Sequence, residues 1–305
     1  MFSVKLAHYW LFPAPRSGAL RRIPLPEATL KAMLPTIGVF DSGFGGLTVL
    51  RALIERLPRA RFAFLGDTAR LPYGSKSRRT IARYAVQSAQ FLVREQGAEF
   101  LVIACNTASA LALDAIQDAV SIPVLGVIEP GAAAARAASS TDDVLIIATE
   151  ATVHSHAYAA ACSAHGLRAI EKACPLLVPL VEEGWIDHPI TAKVIEIYLN
   201  ELRAEAVAQS LHPDTLVLGC THYPLLRPLI ETAVRPGVKV IDSAESVAQA
   251  AVELFNGRAA PAAAGTAPET EIRCFATDSQ EKFQRLGPRF LGQTVGHVEL
   301  IDLGG

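Results

Sequence analysis

From Thr36 onward, short apolar runs alternate with longer stretches whose apolar residues recur at the spacing of a helix. Eight of these runs predict strands, each followed by a predicted helix: 37–40, 61–65, 100–104, 124–127, 144–148, 169–172, 215–218 and 238–241. Strands and helices in regular alternation are typical of parallel sheets that are covered by helices on both faces. The pattern therefore predicts an α/β fold of doubly wound parallel sheets.

The alternation contains a rough repeat. Cys105 follows Asp41 by 64 residues in the first set of runs, and Cys220 follows Thr149 by 71 residues in the second. We interpret the repeat as two similar α/β domains related by pseudo-two-fold symmetry, with an active site in the cleft between them. The first domain is predicted to comprise 36–128 together with 240–305, and the second 129–239.

Residues 1–35 differ in composition from the rest of the chain. They are rich in proline and arginine and contain a single acidic residue, Glu27. Such a segment has little apolar surface with which to offset the entropy of ordering. We expect a disordered N-terminal extension, or a true start of translation at Met33.

Small polar residues follow several predicted strands. The run at 100–104 leads into Cys105, and the run at 215–218 leads through Gly219 into Cys220. In doubly wound sheets, ligands bind beyond the carboxyl ends of the strands. We therefore expect the following residues to converge on one crevice: Asp41, Ser42, Cys105, Asn106, Thr149, Cys220, Thr221 and His222.

The motif DSGFGG at 41–46 joins the first predicted strand to the first helix. A dinucleotide-binding G-x-G-x-x-G motif would need glycine where Thr48 stands, and the lysine followed by serine or threonine of a P-loop is also missing. The motif is therefore interpreted as a glycine turn that places Asp41 at the strand end, with backbone N–H groups close to its carboxylate. The adjacent Ser42 and the three glycines favour a functional role over a simple helix cap.

The chain has five cysteines and no C-x-x-C pair, which argues against a disulfide framework and against a structural zinc site. A reducing cytoplasm is therefore the expected location. Cys105 and Cys220 differ from the other three because each ends an apolar run, where a thiol is positioned and partly desolvated. An ordinary thiol pKa of about 8.5 suits proton exchange near neutral pH. The pair Cys220 and His222 leaves two other interpretations open, half of a metal site and a Cys–His hydrolase.

Charge and hydropathy exclude two classes of partner. The net charge of −2 gives no electrostatic basis for binding nucleic acid or an anionic membrane. No apolar run reaches the roughly 18 to 20 residues that are needed to span a bilayer. We expect a soluble protein that binds a small molecule, and neither nucleic acid nor membrane.

Five motifs occur together in one order: IGVFDSGFGGLTVL, GDTARLPYGSKS, ACNTASA, CPLLVPLVEEG and GCTHYPLL. With these motifs the chain resembles the glutamate racemases of the aspartate/glutamate racemase superfamily, from Thr36 to its C-terminus. The resemblance implies an isomerase without cofactor or metal that converts L-glutamate to D-glutamate for peptidoglycan biosynthesis. It also implies a homodimer.

The same resemblance implies roles for individual residues. Cys105 is the base toward D-glutamate, assisted by Asp41, and Cys220 is the base toward L-glutamate, assisted by His222. Racemisation removes a Cα proton from one face and delivers a proton to the other, so two thiols on facing half-domains suit the reaction. The residues implied to bind substrate are Asp41, Ser42, Tyr73, Gly74, Asn106, Thr107, Thr152, Glu182, Thr221 and His222.

Three alternative functions stay open at this point. A racemase of another acidic amino acid, such as aspartate, would use the same pair of thiols. A protein that binds an amino acid or a partner without turnover would use the same cleft. A thiol hydrolase would use Cys220 with His222 and would leave Cys105 without a role.

Overall fold

A computed structural model describes residues 35–256 and 270–304. The predicted N-terminal extension lies outside the described residues except for Pro35. The described strands are β1 (Thr36–Asp41), β2 (Arg61–Gly66), β3 (Phe100–Ile103), β4 (Val124–Gly126), β5 (Asp143–Ala148), β6 (Arg168–Ala173), β7 (Thr215–Gly219), β8 (Lys239–Asp242), β9 (Ile272–Ala276) and β10 (Val298–Leu300).

The helices of the same ranges are α1 (Leu47–Arg56), α2 (Arg78–Arg94), α3 (Asn106–Ala119), α4 (Ile128–Ala138), α5 (Glu150–Ser155), α6 (Ala157–Ala164), α7 (Leu177–Glu182), α8 (Pro189–Ala208), α9 (Arg227–Ala233), α10 (Ser243–Asn256) and α11 (Gln280–Leu291). Short 3-10 helices occur at Thr68–Arg70, Tyr73–Ser75 and Tyr223–Leu226. Among the described helices, none has the length and the apolar composition to cross a membrane.

The strands lie in two sheets, and all neighbouring strands run parallel. The larger sheet has the order β10-β9-β2-β1-β3-β4, and the smaller has the order β6-β5-β7-β8. The order β2-β1-β3-β4 of the larger sheet therefore recurs in the smaller one, with β3 matching β7. This repeat, with its alternation of strands and helices, confirms the predicted α/β fold with two similar parallel sheets.

The chain leaves the larger sheet after β4 and returns to it with β9. Strand β8 pairs with β7, as in the register of Val240 with Leu216, so it belongs to the smaller sheet. The predicted domain boundary between residues 239 and 240 thus falls inside β8, and this pairing moves the end of the smaller sheet to Asp242. Strand β9 pairs with β2, and β10 with β9, so the C-terminal segment extends the larger sheet. The division into two domains itself stays a prediction.

The central strands are buried along their whole length. The residues of β3 (FLVI) and of β7 (TLVLG) are all buried. Because helices pack on both faces of a parallel sheet, such strands need apolar side chains at successive positions and not only at alternate ones. The core therefore fixes the ends of β3 and β7, and with them the residues that come next in the chain.

Helices α2 and α3 each begin at a capping side chain. Helix α2 begins after Ser77, whose hydroxyl accepts a hydrogen bond from the backbone N–H of Thr80 at 3.4 Å. Helix α3 begins after Cys105, whose sulfur accepts one from the backbone N–H of Ala108 at 3.4 Å. Such caps satisfy N–H groups that the first turn of a helix leaves unpaired. At α3, a thiol occupies the position that serine or aspartate usually takes.

Candidate active site

Cys105 and Cys220 lie at equivalent positions of the two sheets. Cys105 follows β3 after one residue, and Cys220 directly follows β7, the strand that matches β3 in the repeated order. Both are free thiols, and each residue is only 5% exposed. The sheets therefore present two buried, unpaired thiols at matching strand ends.

Asp41 ends β1, and the turn that follows holds its carboxylate. Its Oδ2 accepts a hydrogen bond from the backbone N–H of Gly43 at 3.0 Å, whereas Oδ1 has no partner among the described residues. A Cβ added to Gly46 would lie 2.5 Å from the Cβ of Asp41, which explains the glycine there. Burial raises the pKa of Asp41, although the charge of His222 and the hydrogen bonds of the turn act in the opposite direction. The buried Oδ1 of Asp41 therefore keeps its capacity to accept a hydrogen bond.

Cys105 lies among hydrogen-bond donors and one acid. Its sulfur is 3.2 Å from the hydroxyl oxygen of Ser42 and accepts a hydrogen bond from Ala108 at the start of α3. Burial raises the pKa of the Cys105 thiol to about 12, and the negative charge of Asp41 acts in the same direction. The hydrogen bonds from Ser42 and Ala108 oppose this shift because they stabilise the thiolate. Cys105 is therefore protonated at neutral pH, with donors in place for the thiolate that forms when the proton leaves.

Cys220 lies beside an imidazole in place of an acid. Its sulfur is 4.0 Å from Nδ1 of His222, and Nε2 of His222 is 3.3 Å from Oε1 of Glu182. Burial alone would lower the pKa of His222, but the interactions with Cys220 and Glu182 raise it to about 10. Burial would raise the pKa of Glu182, but hydrogen bonds from His222 and Lys282 lower it to about 2. The imidazole of His222 is therefore favoured in its charged form between Cys220 and the carboxylate of Glu182.

The glycine turn of the first half lies against the turn that follows β7. A Cβ added to Gly45 would collide with the hydroxyl of Thr221 and would lie 2.5 Å from Nδ1 of His222. The hydroxyl of Thr48 donates a hydrogen bond to the backbone oxygen of Thr221 at 3.1 Å. The charge of His222 also acts on Asp41. These contacts bring the surroundings of the two thiols into one buried site.

Asn106, the first residue of α3, is held by the second half of the chain. Its Oδ1 accepts a hydrogen bond from the hydroxyl of Tyr158 at 2.7 Å, and its Nδ2 donates one to the hydroxyl of Ser243 at 3.4 Å. Asn106 is buried, and so is the Tyr158 ring. An amide nitrogen carries two N–H groups, so one of them remains for the predicted contact with substrate.

Thr107 is joined to two other threonines. Its hydroxyl oxygen is 3.0 Å from that of Thr149 and 3.3 Å from that of Thr152, and the last two are 2.9 Å apart. Gly74 faces the same cluster, because an added Cβ would lie 3.6 Å from the Cβ of Thr149. The predicted residues Gly74, Thr107 and Thr152 therefore lie together. Thr149 lies with them, although it was predicted only as a strand-end residue and not as a substrate-binding one. Its position directly after β5 is the feature of the sequence that indicates it.

Tyr73 uses its hydroxyl inside the protein. The hydroxyl donates a hydrogen bond to Oδ2 of Asp67 at 2.6 Å, and the Asp67 carboxylate also accepts one from Thr277 at 2.9 Å. Burial raises the pKa of Tyr73, and the charge of Asp67 adds to the shift. Because the hydroxyl proton of Tyr73 is already donated to Asp67, a hydrogen bond from Tyr73 to substrate would have to come from its backbone N–H. Asp67 was not among the predicted site residues, and its second partner, Thr277, is 210 residues away in the chain.

Within the described ranges, no third metal ligand lies with Cys220 and His222. Among residues 35–256 and 270–304, the His, Cys, Asp and Glu side chains form no group of three or more that could hold a metal ion. A zinc site needs at least three protein ligands. The described part of the chain therefore offers no further ligands that would complete a metal site with this pair.

The fold and the two buried thiols fit an isomerase that exchanges protons on carbon. The family model of the Asp/Glu/Hydantoin racemases matches residues 37–251, a span that includes both thiols and the whole smaller sheet. The chain belongs to this racemase family.

Several relatives match along almost their whole length. A glutamate racemase of Koribacter versatilis is 53% identical over 291 residues, which is 89% of this chain and 98% of that protein. A crystal structure of glutamate racemase from Francisella tularensis in complex with D-glutamate matches with a TM-score of 0.77 at 35% identity, over 89% of this chain and 98% of that one. A glutamate racemase from Thermus thermophilus in complex with β-chloro-D-alanine matches with a TM-score of 0.76 at 42% identity, over the same two fractions, 89% and 98%.

Proposed function

We propose that this protein interconverts L- and D-glutamate without a cofactor, with Cys105 and Cys220 exchanging protons on opposite faces of Cα. The observation that carries the proposal is the placement of two free, buried thiols at matching strand ends within one site. The naming of the relatives as glutamate racemases supports the choice of substrate.

In the proposed reaction one thiol acts as base and the other as acid. In one direction, Cys105 removes the Cα proton of D-glutamate while Cys220 delivers a proton to the opposite face, and the reverse direction exchanges the two roles. Asp41 assists Cys105, and its Oδ1 provides an acceptor for the substrate ammonium. His222 assists Cys220, because an imidazolium next to the sulfur stabilises negative charge there.

The transition state develops negative charge at Cα and on the adjacent carboxylate. Buried donors that are already in place stabilise such charge better than water does. We assign this role to the predicted substrate-binding residues at the strand ends and helix starts: Ser42, Gly74, Asn106, Thr107, Thr152 and Thr221. Tyr73 contributes through the backbone of its turn, and Glu182 acts through His222.

The proposal requires the site to open, because each thiol-bearing residue is only 5% exposed. Pockets for small ligands typically have volumes of about 300 to 1,000 Å³. A cavity of about 430 Å³, which Gly74, Lys76 and His154 help to line, borders the threonine cluster and is large enough for glutamate.

The cellular setting belongs to the same proposal. D-Glutamate made by this reaction would supply peptidoglycan biosynthesis. Free thiols are stable in a reducing compartment, which supports the cytoplasm as its location. A homodimer is the proposed assembly.

The experiment is to follow the optical activity of L-glutamate and, separately, of L-aspartate with purified protein. We expect the signal of L-glutamate to decay to zero, and that of L-aspartate to persist. The double variant Cys105→Ser/Cys220→Ser is the control for contaminating racemases and should leave both signals unchanged. Persistence of the L-glutamate signal with wild-type protein would overturn the proposal, and decay of L-aspartate alone would change the substrate.

A further inference from the structure

Helix α11, near the C-terminus, forms the outer wall of the Cys220 surroundings. The ring of Phe290 meets the imidazole of His222 edge to face, with centroids 5.2 Å apart and planes at 79°. The guanidinium of Arg289 packs directly against Gly184, which follows α7 closely. The helix thus touches both His222 and the turn that follows Glu182, although it belongs to the segment that extends the larger sheet.

Lys282 of the same helix completes the hydrogen bonding of Glu182. Its Nζ donates to Oε2 at 2.8 Å, while Oε1 lies 3.3 Å from Nε2 of His222. The two carboxylate oxygens therefore serve two different partners. The side chain of Glu182 is 18% exposed and that of Lys282 is 38% exposed. Lys282 also lies over the ring of Phe44, with Nζ 5.2 Å from its centroid.

We propose that Lys282 is a positioning residue for the Cys220 side of the site, acting through Glu182 to fix the orientation of His222. This inference rests on the proposed racemase function. A carboxylate with one oxygen held by Lys282 can present only the other oxygen to His222. Without the ammonium, the Glu182 side chain is free to rotate, and its hydrogen bond to the imidazole loses its fixed direction. Among the described residues, Lys282 forms no hydrogen bond with Cys105, Ser42 or Asp41, so we expect its loss to act mainly on the Cys220 side.

The ionisation of Glu182 gives a second consequence. The charged groups that face its carboxylate are His222 and Lys282, and both lower its pKa against the effect of burial. Removing the ammonium therefore raises the pKa of Glu182. Glu182 is mostly ionised only above its pKa. As the solution is acidified, a variant without the ammonium should therefore lose the activity that needs the carboxylate at a higher pH than the wild-type protein does.

The test needs a reaction that starts from one face only. In racemisation both thiols act in each direction, so a one-sided defect is hidden. A glutamate analogue with chlorine at Cβ, 3-chloroglutamate, separates them. The base removes the Cα proton, the electron pair forms the Cα–Cβ double bond, and chloride leaves. The enamine then tautomerises and is hydrolysed to 2-oxoglutarate and ammonium, so chloride release reports a single deprotonation.

Chloride release is measured for both enantiomers with Lys282→Met, Lys282→Arg and the matched control Arg285→Met, which changes an exposed residue of the same helix. Lys282→Met removes a charge-assisted hydrogen bond. We expect it to slow chloride release from the L enantiomer, which Cys220→Ser cannot process, by roughly tenfold. The other enantiomer should react at the wild-type rate. Lys282→Arg should recover most of the loss, and Arg285→Met should show none.

Two further measurements separate positioning from a general structural effect. In a Glu182→Gln background, Lys282→Met should cause no additional loss, because both changes act on one interaction. A ¹³C NMR titration of the Glu182 carboxyl should give a higher pKa in Lys282→Met than in wild type. Equal slowing of both enantiomers, an additive loss in the Glu182→Gln background, or an unchanged titration would overturn the inference. A wild-type protein that turns over neither enantiomer and does not racemise glutamate would overturn the proposed function as well.

Discussion

Cys105 and Cys220 follow matching strands of two similarly ordered sheets, but the groups around them carry different charges. Cys105 caps a helix and has the hydroxyl of Ser42 and the carboxylate of Asp41 as neighbours. Cys220 has an imidazole next to it, and that imidazole is paired with a carboxylate. The repeat thus sets where each thiol lies, while the residues that follow each strand set its chemical surroundings.

The difference matters for a reaction whose two directions exchange the roles of acid and base. Burial and the charge of Asp41 keep a proton on Cys105, whose pKa is raised to about 12. A substrate ammonium close to Asp41 would offset this effect, because a positive charge favours the thiolate. On the other side, a histidine with a pKa raised to about 10 supplies a positive charge before substrate arrives. The two thiols are therefore activated by different means.

The largest effect should come from replacing either thiol. Cys105→Ser and Cys220→Ser each remove one proton-transfer group, which is worth about 10² to 10⁴ in rate, so both variants should lose racemisation of glutamate by that factor. Polarimetry checks this directly. Cys274→Ser, which changes a buried cysteine of β9, is the matched control and should keep its rate. Full racemisation by either thiol variant would show that the two sites are not both required.

A smaller but more selective effect is expected from the assisting residues. Asp41→Asn should slow chloride release from the enantiomer of 3-chloroglutamate that needs Cys105, and His222→Asn from the enantiomer that needs Cys220. Each loss should be about 10², at the lower end of general acid–base contributions, because the thiol itself remains. If both variants slowed both enantiomers alike, the surroundings of the two thiols would not be independent.

The contact between the halves can be tested at Gly45. In Gly45→Ala, the added Cβ meets Thr221 and His222, which must shift, so the variant should be destabilised by about 1 to 3 kcal/mol and should lose activity. Urea unfolding and the racemisation rate give the two measurements. At Gly296 an added Cβ meets no described atom within 4 Å, so Gly296→Ala is the control. Equal stability and activity of the two variants would show that the turns do not press on one another.

The smallest effect is expected at Tyr73, on the Cys105 side of the site. Tyr73→Phe removes one hydrogen bond to buried Asp67, which keeps Thr277 as a donor, so we expect a loss of about 1 kcal/mol in the free energy of unfolding. Racemisation should change little, because the proposed contact with substrate uses the backbone. Tyr84→Phe, at a partly exposed ring with its centroid 6.2 Å from that of Tyr73, is the control. A large rise in KM for Tyr73→Phe alone would give the hydroxyl a direct role in binding.

The sequence predicts the strands and the positions of the thiols because both depend on local patterns. Runs such as FLVI and TLVLG are apolar at every position, and parallel strands that are buried on both faces require this. The cysteine after each run is then at a strand end. The general outline of the site therefore follows from residues that are close together in the chain.

The partners of these residues do not follow from local patterns. Lys282 reaches Glu182 from 100 residues away, and Tyr158 reaches Asn106 from 52 residues away. The hydroxyl of Tyr73 donates its hydrogen bond to Asp67, although Tyr73 was predicted to bind substrate. Such pairs depend on how helices from distant parts of the chain pack, which hydrophobic periodicity does not encode. The predicted boundary falls inside β8 for a similar reason, since pairing between strands decides sheet membership.

The central claim is that each thiol serves one face of Cα, and chloride release from the two enantiomers of 3-chloroglutamate by the two serine variants tests it most directly. We predict that Cys105→Ser releases chloride from the L enantiomer only and Cys220→Ser from the D enantiomer only, with circular dichroism confirming that both variants are folded. Release from both enantiomers by one variant, or equal loss of both enantiomers in both variants, would contradict the assignment of one thiol to each face.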